Sequence, residues 1–331
     1  VLRRLDCVTE RNKDEVLERY EQLQEQGIEN VAPSLKKAAD AQVYNTSEYT
    51  FESLCNDPDD IAENLQYYIN QYDEETKEIF EKFAFNHQID RLADADLLYK
   101  VVRQFAEIDL HPEEVPNEEM GYIYEELIRK FNELSNETAG EHFTPREVIE
   151  LMVNLVFQED DGALTEQDAI RTVYDPACGT GGMLSVAEEY VRQLNTDANL
   201  HVFGQELNPE SYAVCNSDML IKGQEPENII YGNSFTQDGF PSRTFDYMLS
   251  NPPFGVSWKK VKDQVVREHE EEGFAGRFGA GTPRTNDGAF LFLQHMMSKM
   301  KSPTEGGSRI AIVFNGSPLF NGGPNSGESA I

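Results

Sequence analysis

Basic residues are scarce in this chain of 331 residues: 28 Lys and Arg stand against 60 Asp and Glu, a formal net charge of −32. Phosphate binding needs Lys and Arg, so the balance excludes a protein that grips nucleic acid with its whole surface. It leaves room for a local basic strip, or for a partner that supplies the charge. Cysteine is scarce too. Cys7, Cys55, Cys178 and Cys215 are scattered with no C-x-x-C pair, which fits reduced cytoplasmic thiols better than a disulfide framework or a zinc site. The six histidines show no metal-ligand spacing, and no metal is expected. No run is long and apolar enough to span a membrane. The opening V-L-R-R-L-D has no signal-peptide pattern. A cytoplasmic location without membrane contact is expected. The chain begins without Met and is read as an incomplete product.

What is present supports real cores: 39% hydrophobic and 10% aromatic residues, in a length that suggests about two domains. Residues 1–140 carry 33 acidic and 14 basic residues, net −19, against 27 and 14, net −13, for residues 141–331. Residues 1–139 read as an acidic all-α domain for docking or assembly. Apolar residues recur at three- and four-residue spacing near 11–26, 59–71, 74–85, 94–108 and 118–135. Ile61, Leu65 and Ile69 form one stripe; Leu97, Val101, Val102 and Phe105 form another. From residue 140 to 331 the texture changes. Short β-branched runs at 171–175, 201–207, 228–231, 245–250 and 309–314 alternate with amphipathic segments at 147–157, 183–194, 209–222 and 287–301. That alternation predicts an α/β domain with a doubly wound, mainly parallel, Rossmann-like sheet. Ligands in such sheets sit at the carboxyl ends of the strands.

The unusual residues fall at those ends. In G-E-H-F-T-P-R-E (140–147), Thr144 suits an N-cap, Pro145 the first helical position and Glu147 the end of a capping box. Val148, Ile149, Met152, Leu155 and Val156 then face a core. A cap does not explain Glu141, His142 and Phe143, which could hold a small ligand at a helix mouth. D-P-A-C-G-T-G-G-M-L (175–184) follows the first strand, and its glycines permit close backbone approach. It is no dinucleotide fingerprint, since Leu184 stands where G-x-G-x-x-G needs glycine, and no P-loop, since Gly-Lys-Ser/Thr is absent. A carboxylate at Asp175 suits an ammonium group, and Glu206 can accept both hydroxyls of a ribose. Ribose plus a zwitterionic amino acid describes S-adenosylmethionine; a structural turn with incidental acids is the alternative. S-N-P-P-F (250–254) ends the fourth strand. Two prolines cannot donate to a sheet ladder, and they can simply stop a strand. They also fix φ, push Asn251 into an extended conformation and set carbonyls beside the ring of Phe254. Two acceptors next to a stacking platform suit an exocyclic amino group such as N6 of adenine.

With E-H-F-T-P-R, D-P-A-C-G-T-G-G, G-Q-E-L-N-P, G-N-S-F, N-P-P-F and D-G-A-F-L-F-L-Q-H in this order behind an acidic helical region, the chain resembles the modification subunit of type I restriction–modification systems. That family methylates N6 of adenine in DNA. The likeness runs over nearly all of the chain. N-P-P-F alone is shared with glutamine and ribosomal-RNA guanine methyltransferases. The resemblance implies cofactor contacts at Glu141, His142, Phe143, Thr144, Pro145, Arg146, Thr180, Gly181, Gly182 and Glu206, with Asp175 and Asn233 behind them. It places the catalytic motif on Asn251, Pro252, Pro253 and Phe254. It implies a specificity subunit, a second copy of the modification subunit, a restriction subunit and double-stranded DNA as partners. The family's sheet has seven strands and five are read here, so the domain is expected to be truncated after the fifth, without its last strands and C-terminal docking helices. The competing readings are methylation of an amino group on RNA or protein glutamine, and a non-catalytic assembly subunit of the same fold.

The resemblance also implies base flipping, with Phe254 stacked on the adenine and Asn251 and the Pro252 carbonyl accepting its two N6 hydrogens. V-S-W-K-K-V-K-D (256–263), with Arg267, Arg277 and Arg284, is the densest basic patch near this motif. It reads either as a strip for DNA phosphates or as a solvated loop. Asn286 and Asp287 are expected at the pocket mouth.

Overall fold

The computed structural model describes residues 1–82, 85–116, 119–120, 123, 126–127, 144–158, 164, 170–222, 224–316, 328 and 331. Contacts divide the chain into two units, Val1–Met120 with Pro209–Pro226, and Gly121–Asn208 with Glu227–Ile331. The expected boundary at 139/140 lies outside the described residues, as does most of the helix expected over 118–135.

The first unit contains α1 (Leu2–Glu10), α2 (Lys13–Glu25), α3 (Ala32–Ala39), α4 (Phe51–Leu54), α5 (Ile61–Asn70), α6 (Glu74–Lys82), α7 (Phe85–Asp94) and α8 (Leu98–Ala106). Ile61, Leu65 and Ile69 are buried as their spacing predicts. An aromatic ladder of edge-on contacts runs Phe51–Tyr68–Tyr72–Phe80–Phe85, each pair worth about 0.5–1.5 kcal/mol beyond its burial. The expected 94–108 helix is shorter, because Asp96 takes a left-handed φ of 55° that separates α7 from α8. The stripe shifts with it. Leu98 and Val102, one turn apart, face the core, while Leu97 and Phe105 are 44% and 45% exposed.

The second unit is built on a sheet. Its elements are α9 (Arg146–Phe157), β1 (Ile170–Asp175), α10 (Gly182–Leu194), β2 (Asn199–Glu206), β3 (Ile229–Tyr231), β4 (Tyr247–Ser250), α12 (Lys262–Glu272), α13 (Ala289–Ser298) and β5 (Arg309–Ile312). The intervening α11 (Pro209–Lys222) joins β2 to β3 in sequence, but its Ala213 and Leu220 pack with Ile79 of α6 in the first unit. The strands pair in parallel in the order β3-β2-β1-β4-β5.

Strand alternation sends neighbouring side chains to opposite faces. Tyr247 meets Phe157 of α9, with ring centroids 4.3 Å apart. Met248 and Tyr174 instead pack with Met296 of α13 and with Phe203 and Phe245. Helices therefore cover both faces, α9 and α10 on one and α13 on the other. This is the doubly wound parallel sheet that the strand–helix alternation predicts. Ile149, Met152 and Val156 of α9 are buried as expected; Leu155 is 64% exposed, and Val153 and Phe157 take its place in the core.

Candidate active site

In a sheet of this order the chain switches direction between β1 and β4, and the crevice lies at their carboxyl ends. β1 ends in Asp175 and β4 in Ser250, both buried. The Asp175 Oδ1 accepts the Ala177 N–H at 2.9 Å. Burial pushes its pKa up to about 7; the Glu206 charge adds to the rise, while the Ala177 N–H and the Ser250 hydroxyl oppose it.

The turn after β1 is held by backbone bonds. Cys178 N–H donates to the Gln205 carbonyl at 3.1 Å and Gly181 N–H to the Cys178 carbonyl at 2.8 Å. Gly179 and Gly181 have φ of 56° and 85°, a region that L side chains rarely occupy. A Cβ on Gly179 would meet nothing within 4 Å, so the turn opens onto space. Thr180 is half-buried there, and Gly182 begins α10.

Glu206, at the end of β2, anchors this turn. Its Oε2 accepts the Gly179 N–H at 2.8 Å and its Oε1 accepts the Asn208 N–H at 2.6 Å. A carboxylate offers about four acceptor positions, so this orientation is compatible with a ribose diol. Asn233 follows β3 after Gly232. Its Oδ1 accepts the Phe235 N–H at 2.9 Å, shaping the loop from within. Ser234 Oγ ties that loop to the Pro176 carbonyl at 2.6 Å.

Asn251 follows β4, and its partner overturns the expected role of Thr144 as a helix cap. Its Nδ2 donates to Thr144 Oγ1 at 2.8 Å. Its Oδ1 is buried and has no hydrogen-bond partner among the described residues. The Pro252 carbonyl likewise receives no hydrogen bond among them. Pro253 and Phe254 are half-buried beside it, and Gly255 turns the chain away with a φ of 66°. Thr144 is thus not the cap of α9. Pro145, with ψ of 137°, occupies the N-cap position, α9 begins at Arg146, and no side chain caps it. Arg146 is exposed and pairs with Glu150 at 2.9 Å along the helix surface. Glu141, His142 and Phe143 lie outside the described residues.

The basic strip is smaller than the sequence suggests. Arg277 faces inward. It pairs with Glu268 at 2.6 Å and donates to the Ser234 and Phe235 carbonyls at 2.7 and 2.8 Å. Arg284 pairs with Glu328 at 3.1 Å. Lys259, Lys260, Lys262 and Arg267 stay exposed. The segment is no free loop either: Trp258 is buried, its indole N–H donates to the Arg284 carbonyl at 2.8 Å, and α12 follows. Asp287 is buried, with Oδ1 accepting the Ala289 N–H at the start of α13.

Behind the 233–235 loop lies a polar cluster that the sequence did not announce. His295 is fully buried, with Nε2 3.0 Å from the Tyr174 hydroxyl and Nδ1 3.2 Å from Arg277. Guanidinium only donates, so Nδ1 accepts and the ring proton sits on Nε2. Burial, helped by the Arg277 and Lys299 charges and opposed by Asp238, pushes the imidazole down to about 3 and keeps it neutral. No local motif marks these residues, because their partners come from the 233–235 loop, α12 and α13.

The residues present fit S-adenosylmethionine by their donors and acceptors: a glycine turn facing open space, a buried acid and a carboxylate at the end of β2. Comparisons with known proteins show the family and the fold. Residues 116–328 match the N-6 DNA Methylase family and residues 1–105 the HsdM N-terminal domain. The chain is 29% identical over 188 residues to the type I restriction enzyme MjaIX methylase subunit of Methanocaldococcus jannaschii, covering 56% of this chain and 31% of that one. It is 28% identical over 274 residues to the EcoEI methylase subunit of Escherichia coli, covering 80% and 50%. The chain thus spans half or less of the length of these relatives. The crystal structure of the type I restriction–modification system methyltransferase subunit from Streptococcus thermophilus superposes with a TM-score of 0.64 at 22% identity, covering 96% of this chain and 70% of that one. At that identity the likeness bears on the fold.

Proposed function

The chain belongs to the N-6 DNA methylase family, and from that premise we propose that it transfers a methyl group from S-adenosylmethionine to N6 of a flipped adenine, as the modification subunit of a type I restriction–modification complex. The observation that carries the reading is the pair of acceptors after β4. Asn251 Oδ1 is buried, and neither it nor the Pro252 carbonyl has a hydrogen-bond partner among the described residues. An unpaired buried acceptor costs about 1–3 kcal/mol, a cost that a donor on the substrate relieves.

The adenine leaves the duplex because N6 is out of reach in the stack. Phe254 stacks on the flipped base, worth about 1–3 kcal/mol. Asn251 Oδ1 and the Pro252 carbonyl accept the two N6 hydrogens and draw the nitrogen lone pair out of ring conjugation. The cofactor, when bound, supplies a sulfonium methyl whose departure leaves a neutral thioether. Glu206 and the turn at Thr180, Gly181 and Gly182 would hold the cofactor, with Asp175 and Asn233 as further contacts. Catalysis is positioning and preorganised acceptors, and a proton is lost from N6 to water. The relatives' names, methylase subunits of type I restriction enzymes, support a place in a multi-subunit enzyme; in this reading its other members are a specificity subunit, a second modification subunit and a restriction subunit, acting on double-stranded DNA in the cytoplasm. No described helix is long and apolar enough to cross a membrane.

Labelled methyl transfer to DNA by the full-length protein, with its specificity subunit, tests this. Asn251→Ala should lower the rate by about 100-fold or more, the scale for losing a preorganised transition-state contact, with cofactor affinity nearly unchanged. Parental transfer rates in that variant would remove Asn251 from the chemistry. Label in RNA or protein glutamine instead of adenine would move the substrate.

A further inference from the structure

Resting on that reading of Asn251, we propose that Thr144 is a positioning residue: its hydroxyl holds the Asn251 amide in the orientation that presents Oδ1 to the target amine. The two residues are 107 positions apart and meet at 2.8 Å. Pro252 restricts the Asn251 backbone from the following position, which leaves the side-chain torsions as its main freedom. The last of these is an sp³–sp² torsion with a broad profile. One anchored bond closes it. The amide is planar, so tying Nδ2 to Thr144 aims Oδ1 away from Thr144, where it is buried and has no partner among the described residues. Rotated by half a turn, the amide would present two N–H donors to an amine that itself carries hydrogens, and no acceptor would face the substrate.

Thr144 is itself well placed to be an anchor. Pro145 restricts its backbone in the same way, and α9 starts immediately after it. That helix packs on the strand that ends just before Asn251, since Phe157 lies against Tyr247 of β4. The 2.8 Å contact is therefore set by the core. This assigns Thr144 a task different from the cofactor contact implied by resemblance, and the two tasks separate experimentally.

The test uses the full-length protein in its methylating complex. Single-turnover rates at saturating cofactor and calorimetric cofactor affinities are measured for Thr144→Val and Thr144→Ser. Thr144→Val keeps the shape and removes the hydroxyl. It should slow transfer about tenfold, the equivalent of one net hydrogen bond, with cofactor affinity within about twofold of the parent. Thr144→Ser should restore the rate to within about twofold of the parent, which a role in packing the methyl group would not do. Three results overturn the proposal: Thr144→Val at the parental rate, Thr144→Ser as slow as Thr144→Val, or weakened cofactor binding with an unchanged saturated rate. The parent's own adenine methylation, run alongside, tests the functional reading separately, because the ratio between Thr144 variants holds for whichever amino group the parent methylates.

Discussion

Asp175 ties the stability of the fold to pH and, on the proposed reading, to ligand binding. Its carboxyl is buried at the end of β1 and titrates near pH 7 rather than in the usual range, chiefly through burial. Between the unfolded value of 3.8 and about 7 the folded state holds the proton and the unfolded state does not. Stability from this group is therefore fully present below about pH 4 and falls as pH rises towards 7. A ligand ammonium beside it favours the ionised form. Cofactor affinity should thus increase as pH rises through about 7, and below that fall by up to about tenfold per pH unit. Asp175→Asn should flatten this profile, weaken binding at pH 8, and raise the melting temperature of the ligand-free protein at that pH by a few degrees. Calorimetric titrations from pH 6 to 8 with thermal melts decide it; a flat parental profile would separate Asp175 from the ligand.

Arg277 links three elements that the sequence leaves apart. Its guanidinium joins α12 through Glu268 to the loop at Ser234 and Phe235 and to His295 on α13. The loop it clamps begins with Asn233, assigned to the cofactor side. Lysine cannot reproduce the planar fork. Arg277→Lys should destabilise the protein by about 2 kcal/mol, the scale of lost charged hydrogen bonds, and weaken cofactor affinity through the loosened loop. Denaturant unfolding and calorimetry on the same variant check both halves; unchanged affinity would show that the loop holds its shape without the clamp. At this scale the sequence was legible where periodicity rules. α9, α10, β1 and β4 sit within one or two residues of expectation, because the helices repeat their apolar residues every 3.6 positions and the buried parallel strands are short runs rich in apolar residues between them. Asp175, Glu206 and Asn251 were legible as strand-end residues for the same reason. What was not legible depends on tertiary partners: Thr144 reads as an N-cap until Asn251 claims its hydroxyl, and Arg277 reads as a surface cation until Glu268 turns it inward.

For the molecule as a whole, charge bears on the proposed encounter with DNA. The net charge is −32, and of the basic residues near Asn251, Arg277 and Arg284 are already paired with Glu268 and Glu328. Lys259, Lys260, Lys262 and Arg267 remain exposed, with Asp263, Glu270, Glu271 and Glu272 exposed on the same short stretch. Each neutralised phosphate contributes about 0.9 to the salt slope of duplex binding. Four cations therefore give a log–log slope no steeper than roughly −4, and the nearby carboxylates reduce it further. On this charge balance the chain alone should bind duplex DNA no better than a non-specific ligand, with a Kd on the order of 10⁻⁴ to 10⁻⁶ M at physiological salt. Adding the specificity subunit should bring sequence-specific binding and a steeper slope, because the missing positive charge then comes from another chain. Anisotropy titrations at several salt concentrations, with and without that subunit, measure both quantities. Tight site-specific binding by the lone protein would show that a surface other than the strip after Asn251 holds the DNA.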